Sequence, residues 1–192
     1  MKYVDVTRTI SPHMEKYPSD PNIEIYSFKS IDKGNSCNLL KLIMGSHTGT
    51  HVDAPRHIFK KGKSVEGIPL DNLICKIFVV DIKKVSIKDF FKNHRSAARG
   101  LVLKNDKHGL TTEEAALLLE HNMCLVGTDG MSIEESGDKS HPVHRMLLAK
   151  NITIVEGLDL RKAKSGYCRM VCLPLKIKNG DGAPARSILI YD

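Results

Sequence analysis

The stretch S-H-T-G-T-H-V-D-A-P-R-H, Ser46 to His57, gathers side chains that can hold a cation or move a proton. His47 and His51 lie four residues apart, Asp53 follows two later, and His57 stands two beyond Pro55. Three of the chain's 9 histidines fall here, and their spacing, more than their number, asks for a chemical reading. A helix would stack His47 on His51, but Gly49, two β-branched threonines and the Ala54-Pro55 step oppose one. The composition predicts an irregular or hairpin-like loop instead, with Gly49 allowing a tight turn. Two imidazoles and one carboxylate suit Zn²⁺, Mn²⁺ or Fe²⁺ far better than Mg²⁺ or Ca²⁺, which prefer oxygen shells. Three protein ligands leave positions for water, the pattern of a catalytic rather than a structural ion. His57, beyond the stiff Pro55 step, is placed to face the same cavity as a general base and later acid, because imidazole titrates near neutrality. The competing reading is a polar surface loop.

Whatever the loop holds must be positioned by the elements around it. K-Y-V-D-V-T-R-T-I alternates apolar and polar residues and predicts a strand. Ser11 to Asn22 carries three prolines and reads as irregular loop. I-E-I-Y-S-F is a second alternating strand, and N-L-L-K-L-I-M (Asn38 to Met44) a third that runs into the histidine stretch. Ile74 to Ile82 is the strongest candidate for a buried strand. Ser86 with Asp89, and Thr111 with Glu114, have capping-box spacing. The helix after Thr111 puts Ala115, Leu118 and Leu119 on one face. M-C-L-V-G-T-D reads as a strand, Val143 to Asn151 as a helix, and I-T-I-V-E as a strand again. M-V-C-L-P-L-K-I and A-R-S-I-L-I-Y close the chain as strands joined by the turn-rich K-N-G-D-G-A-P. Strands outnumber helices and interleave with them, so the expected fold class is α/β with a mixed sheet, residues 1–192 forming one domain.

The chain has 192 residues, of which 41% are hydrophobic, enough for a full core. No apolar run reaches the roughly 18–20 residues of a membrane span, and no secretory pattern follows Met1; a cytoplasmic protein is expected. The five cysteines are odd in number and lack C-x-x-C spacing, which reads as reduced, mostly buried thiols. A net charge of +7 raises nucleic acid as a partner. The basic residues are scattered, however, and with no tryptophan and 5% aromatics there is no stacking surface for single strands. A solvated basic surface is the better reading.

H-T-G-T-H-V-D-A-P-R-H resembles the signature of the cyclase-type metal-dependent hydrolases, a family that includes bacterial kynurenine formamidase and isatin hydrolase. The resemblance extends to K-Y-P-S-D-P, G-L-T-T-E-E-A-A, L-V-G-T-D-G-M-S-I, V-H-R-M-L-L-A-K-N-I-T-I-V-E-G-L-D-L and G-A-P-A-R-S-I-L-I, in the family's order. It implies a swivelling β/β/α fold, a mixed sheet or barrel flanked by helices. It implies that His47, His51 and Asp53 bind a first metal, that His144 and Glu156 complete a second with Asp53 as bridge, and that His57 is the catalytic acid/base. Taken alone, His144 reads as a helix-surface histidine and Glu156 as a strand-end carboxylate. The implied cofactor is one or two divalent ions, Zn²⁺ first, with Mn²⁺ or Fe²⁺ as alternatives. The implied reaction is hydrolysis of a carbonyl–nitrogen bond in a small-molecule amide, and the implied assembly a homodimer or larger homo-oligomer. A lactonase, or a binding protein of the same fold with little turnover, are the alternatives. Asp129 and Ser132 are candidates to orient the ligating histidines. Two departures concern substrate: Ser19 stands where the family has glycine, and Tyr17 where typical members carry tryptophan. Tyr17, Phe28 and Phe59 are the aromatic candidates for a pocket wall.

Overall fold

The course of the chain is set by three helices that must each return it to the same sheet. β5 (Ile74–Asp81), β6 (Gly100–Lys104), β7 (Leu125–Thr128) and β8 (Thr153–Glu156) run parallel to one another. Parallel neighbours need a crossover; after the single turn α1 (Leu70–Leu73) that leads into β5, α2 (Ile87–Asn93), α3 (Thr112–Glu120) and α4 (Pro142–Ala149) supply the three crossovers in turn. The computed structural model describes residues 1–94, 98–106, 108–135 and 139–192. Around the parallel block, β4 (His51–Asp53), β9 (Gly166–Pro174) and β10 (Gly182–Tyr191) pair antiparallel, in the order β10-β4-β8-β7-β6-β5-β9. β9 pairs back onto β10, so seven strands close into a mixed barrel, and β1 (Lys2–Asp5) continues the sheet beyond β10. The α/β class and mixed sheet expected from the sequence are those observed.

Alternation along each strand separates two cores. Val52, Ile77, Val79, Val102, Leu125, Val155, Met170 and Leu189 pack together inside the barrel. Val80, Leu101, Leu103, Val126 and Ile154 face outward and pack with Phe90, Leu118, Leu147 and Leu148 of the crossover helices. The cap readings hold locally. Ser86 Oγ accepts from Asp89 N, and Thr111 and Glu114 form a reciprocal capping box. Ala115 and Leu118 are buried, whereas Leu119 is only half-buried. Ile74–Asp81 is a strand as expected, although its residues alternate between buried and exposed rather than being buried throughout.

One expectation needs correction, and one strand lies outside the sequence reading. The Ser46–His57 stretch is not loop throughout: His51–Asp53 is the barrel strand β4, every residue of it buried. Three residues are too few to show a period, and their partners in β8 and β10 lie more than a hundred residues away, so local composition registers only the flanking breakers. β6 was not foreseen at all, because G-L-V-L-K holds three apolar residues in a row and no alternation. Outside the barrel, β2 (Glu24–Lys29) and β3 (Leu39–Ile43) pair, among the described residues, only with each other. Tyr26, Phe28, Leu39, Leu40, Leu42 and Ile43 on this hairpin are all exposed.

Candidate metal centre

β4 sits between β10 and β8, and its register dictates the site. His51 lies directly opposite Glu156 and next to Pro184, while Asp53 lies opposite Ile154 and next to Gly182. Val52 points into the barrel core, so His51 and Asp53 point outward, towards the side on which Ile154 and α4 lie. There α4 presents His144 on its buried face. The approach to β4 is fastened by Thr50, whose hydroxyl donates to Gly157 O at 2.6 Å and accepts from Arg8 N at 2.9 Å. The exit is fastened by Ala54 N, which donates to Asp181 O at 2.9 Å. Pro55 then opens a 3-10 turn that carries His57, a position where its missing N–H costs nothing.

Four donors close into a ring. His51 Nε2 is 3.3 Å from Glu156 Oε2, and Glu156 Oε1 is 3.2 Å from His144 Nε2. His144 Nε2 is 3.5 Å from Asp53 Oδ2, and Asp53 Oδ1 is 3.4 Å from His51 Nε2. Ligand bonds of about 2.0–2.2 Å in a tetrahedron separate neighbouring donors by about 3.3–3.6 Å, which matches these spacings. The tautomers agree. His51 Nδ1 faces Gly49 O at 2.9 Å and His144 Nδ1 faces a Glu134 carboxylate oxygen at 2.7 Å. Both partners only accept, so each Nδ1 carries a proton, and each Nε2 faces the carboxylates, where it can donate its lone pair to a cation placed between them or, with none bound, hold a second proton. His51 Nε2 and Asp53 Oδ2 are buried without a hydrogen-bond partner among the described residues, an arrangement that is costly unless a cation fills it. The residues therefore fit a divalent ion.

His47 lies beside this ring, its Nδ1 2.8 Å from Asp53 Oδ1 and its Nε2 3.0 Å from Asp181 Oδ2. By distance the metal-capable donors among the described residues fall into three groups: His51–Asp53–Glu156 and His47–Asp53–His57, which share Asp53, and Glu134–His141–His144 beside them. The His57 ring stacks at a tilt against His47, with centroids 4.1 Å apart, and its Nδ1 is 3.7 Å from Asp181 Oδ2.

Electrostatics follow from burial and pairing. Burial alone would lower His51 and His144. The Asp53 and Glu156 carboxylates facing His51 outweigh it and raise that residue to about 10, and those of Asp53, Glu134 and Glu156 raise His144 to about 12. Burial raises Asp53 and Glu156, and the two carboxylates repel, yet the surrounding imidazoles pull both below their ordinary values. His57 goes the other way: burial lowers it, and its neighbours His47 and His144 add to the effect.

Several residues stand elsewhere than the sequence suggested, and two were missed. Tyr17 lines a cavity of about 200 Å³ together with Ser19, His57, Met131, His141 and the ring residues His51, His144 and Glu156. Phe28 stands 64% exposed on the hairpin, and Phe59 packs against the outer core beneath Arg145; neither lines this cavity. Asp129 accepts from Asn105 N and Asp106 N, and Ser132 accepts weakly from Glu134 N, so neither orients a ligand histidine. That contact is made by Glu134. The other missed residue is Asp181, where K-N-G-D-G-A-P had read only as a turn. Gly182 beside it is required, because a Cβ there would lie 2.7 Å from His47 Cε1.

The family model named Cyclase matches residues 4–135, more than half of the chain. The chain belongs to the Cyclase family. Kynurenine formamidase of Salinibacter ruber is 30% identical over 98% of this cyclase-family chain and 97% of its own length. A solved structure of a potential metal-dependent hydrolase with cyclase activity is 29% identical, with a TM-score of 0.81 over 98% of this chain and 96% of its own. Isatin hydrolase A from Labrenzia aggregata, solved with benzyl benzoate, is 22% identical and shares the fold at a TM-score of 0.83, over 99% of this chain and 93% of its own.

Proposed function

We propose that this chain is a metal-dependent hydrolase that cleaves a carbonyl–nitrogen bond in a small molecule, a formamide or a cyclic or linear amide. One observation carries the reading: the ring of His51, Asp53, His144 and Glu156, with ligand-like spacings and both Nε2 atoms free of a competing tautomer. His47, His51, Asp53, His144 and Glu156 are assigned as the ligands of one or two ions, Asp53 being shared. Zn²⁺ suits this nitrogen and carboxylate set best, with Mn²⁺ or Fe²⁺ able to replace it. When bound, such an ion lowers the pKa of water towards ~7 and polarises a carbonyl. His57, neutral at pH 7 because burial lowers its pKa, takes the proton of the attacking water and delivers it to the departing nitrogen. The cavity, smaller than most ligand pockets, suits a compact substrate, and Tyr17 is the phenol ring in its wall. The names of the relatives, kynurenine formamidase and isatin hydrolase, support amide chemistry as the substrate class.

Prolonged dialysis against a chelator is expected to abolish hydrolysis of a panel of formamides, lactams and lactones, with Zn²⁺ or Mn²⁺ restoring it. Full activity in metal-free protein would overturn the assignment, and hydrolysis confined to lactones would redirect it to the ester class. We also propose a homodimer, which the exposed apolar hairpin β2–β3 supports, since a monomer seldom leaves so many large apolar side chains in water. Sedimentation as a monomer at micromolar concentration would refute it. No helix among the described residues is long and apolar enough to cross a membrane. The free thiols of Cys37, Cys75, Cys124, Cys168 and Cys172 support a reducing, cytoplasmic setting.

A further inference from the structure

Residues 132–134 form a short segment whose two consecutive members address both outer partners of the ring. Ile133 N donates to Glu156 Oε1 at 2.7 Å, and the Glu134 carboxylate accepts from His144 Nδ1 at 2.7 Å. The same Glu134 oxygen accepts from His141 Nδ1 at 2.9 Å, and its other oxygen accepts from Val143 N at 2.8 Å in the first turn of α4. Glu134 is buried and so are Ile133 and His144, so the contact to His144 is shielded from competing water. The segment is pinned from behind by Leu110 N, which donates to Ile133 O at 2.7 Å. Gly109 makes this approach possible: at φ +72° it holds a conformation side chains rarely adopt, and a Cβ there would lie 2.4–2.8 Å from the Glu134 backbone.

We infer that Glu134 is a positioning residue for the His144–Glu156 half of the centre. By accepting from His144 Nδ1 it keeps the proton on that nitrogen when an ion is bound and turns Nε2 towards the space between Asp53 and Glu156 that the ion would fill. Carboxylates that hold a ligand histidine in this way raise its basicity and orient its ring, and losing one weakens metal binding about 10–100-fold. Such a role differs from that of Asp53 or Glu156, because Glu134, although it borders the same cavity, meets His144 at Nδ1, the ring nitrogen that faces away from Asp53 and Glu156. His141, on the same carboxylate oxygen but half-exposed to the cavity, provides an internal comparison: it shares the acceptor without sharing the ligand set.

The inference rests on the metal-site reading above, and the experiment separates the two. Zinc affinity is measured by competition with a chromophoric chelator for wild type, Glu134→Gln and His141→Ala, with unfolding of each metal-free protein followed in parallel. In Glu134→Gln the weakest-bound equivalent of zinc should lose about 10–100-fold in affinity, while His141→Ala stays within about threefold of wild type. Nitrogen-15 spectra of the zinc-loaded proteins give a readout that loss of packing alone would not move. The His144 Nδ1 proton should be held against exchange in wild type and lost from the spectrum in Glu134→Gln, and these spectra decide the matter in wild type should the variant fail to fold. Unchanged zinc affinity in folded Glu134→Gln, or a His144 protonated on Nε2 in zinc-loaded wild type, would overturn the inference and leave the metal site intact. A wild-type protein that takes up no divalent metal would overturn both.

Discussion

Replacing His57 by alanine is expected to lower kcat by about 10²–10⁴-fold, the span that a single positioned acid/base contributes, with KM and bound metal close to wild type. The expectation follows from where His57 sits. It lies outside the four-donor ring, on a 3-10 turn stiffened by Pro55, with its side chain 31% exposed to the cavity. It makes no hydrogen bond to Asp53, Glu156 or His144, so its removal leaves the ring's geometry alone. The pH profile gives a second, independent reading. Burial lowers the His57 pKa, so the neutral, proton-accepting form prevails above about 6.5, and bound metal would depress the pKa further. Wild-type kcat should therefore hold through neutral pH and fall only on the acid side, below about 6.5, as His57 takes up a proton. His57→Ala should lack that limb. A variant that keeps turnover within threefold of wild type would remove His57 from the mechanism.

Comparing the chain's local signals with its fold shows what kind of information each residue carries. Ser86 and Thr111 were readable as caps because the hydrogen bond that makes a cap spans three residues. The metal-capable trio in the Ser46–His57 stretch was readable because its members lie within seven residues, and Gly49 and Pro55 interrupt any helix through them. The strand inside that stretch was not, since β4 exists only through pairing with β8 and β10. The partner contacts fail for the same reason. Asp181 meets His47 across 134 residues, and Glu134 is one carboxylate among many whose meaning depends on the crossover that brings α4 over β8. Neither belongs to a periodic pattern, so composition alone cannot single it out. His144 and Glu156 lie between these extremes: family resemblance raised them, while their own surroundings in sequence read as an ordinary helix and an ordinary strand end. Phe28 shows the converse. Its type suggests a pocket wall, but the hairpin that carries it forms a sheet of its own and leaves Phe28 exposed.

The second large effect is expected from Asp53→Asn, which should abolish metal retention while leaving the metal-free fold nearly as stable as wild type. Asp53 is wholly buried, and in the metal-free protein it and Glu156 repel each other across the ring. The imidazoles offset that repulsion only while they hold protons. The folded-state pKa values of His51 and His144 lie above the unfolded value of about 6.5, at about 10 and about 12. Their contribution to stability is therefore fully present below about pH 6.5 and is lost as pH rises through 10 and beyond. Metal-free wild type should accordingly unfold at progressively lower temperature as pH is raised from 6.5 to 10. Metal-loaded wild type should not show this decline, because its histidines have already given up the protons that the ion displaces. Asparagine preserves the shape of Asp53 but removes one of the two repelling charges, so the alkaline decline should be shallower in the variant. At a free zinc concentration a thousandfold above Kd, wild type should gain about 4 kcal/mol of stability, or about 8–16 °C in Tm for a chain of this size. Asp53→Asn should gain almost nothing and should hydrolyse no member of the amide panel. A zinc-dependent rise in Tm equal to that of wild type would show that the cation is held elsewhere. A collapse of the metal-free variant at pH 6–7 would show that Asp53 serves the fold before it serves the ion. Between those outcomes lies the expected one, in which two buried carboxylates that the barrel could do without are kept together by the ion they bind.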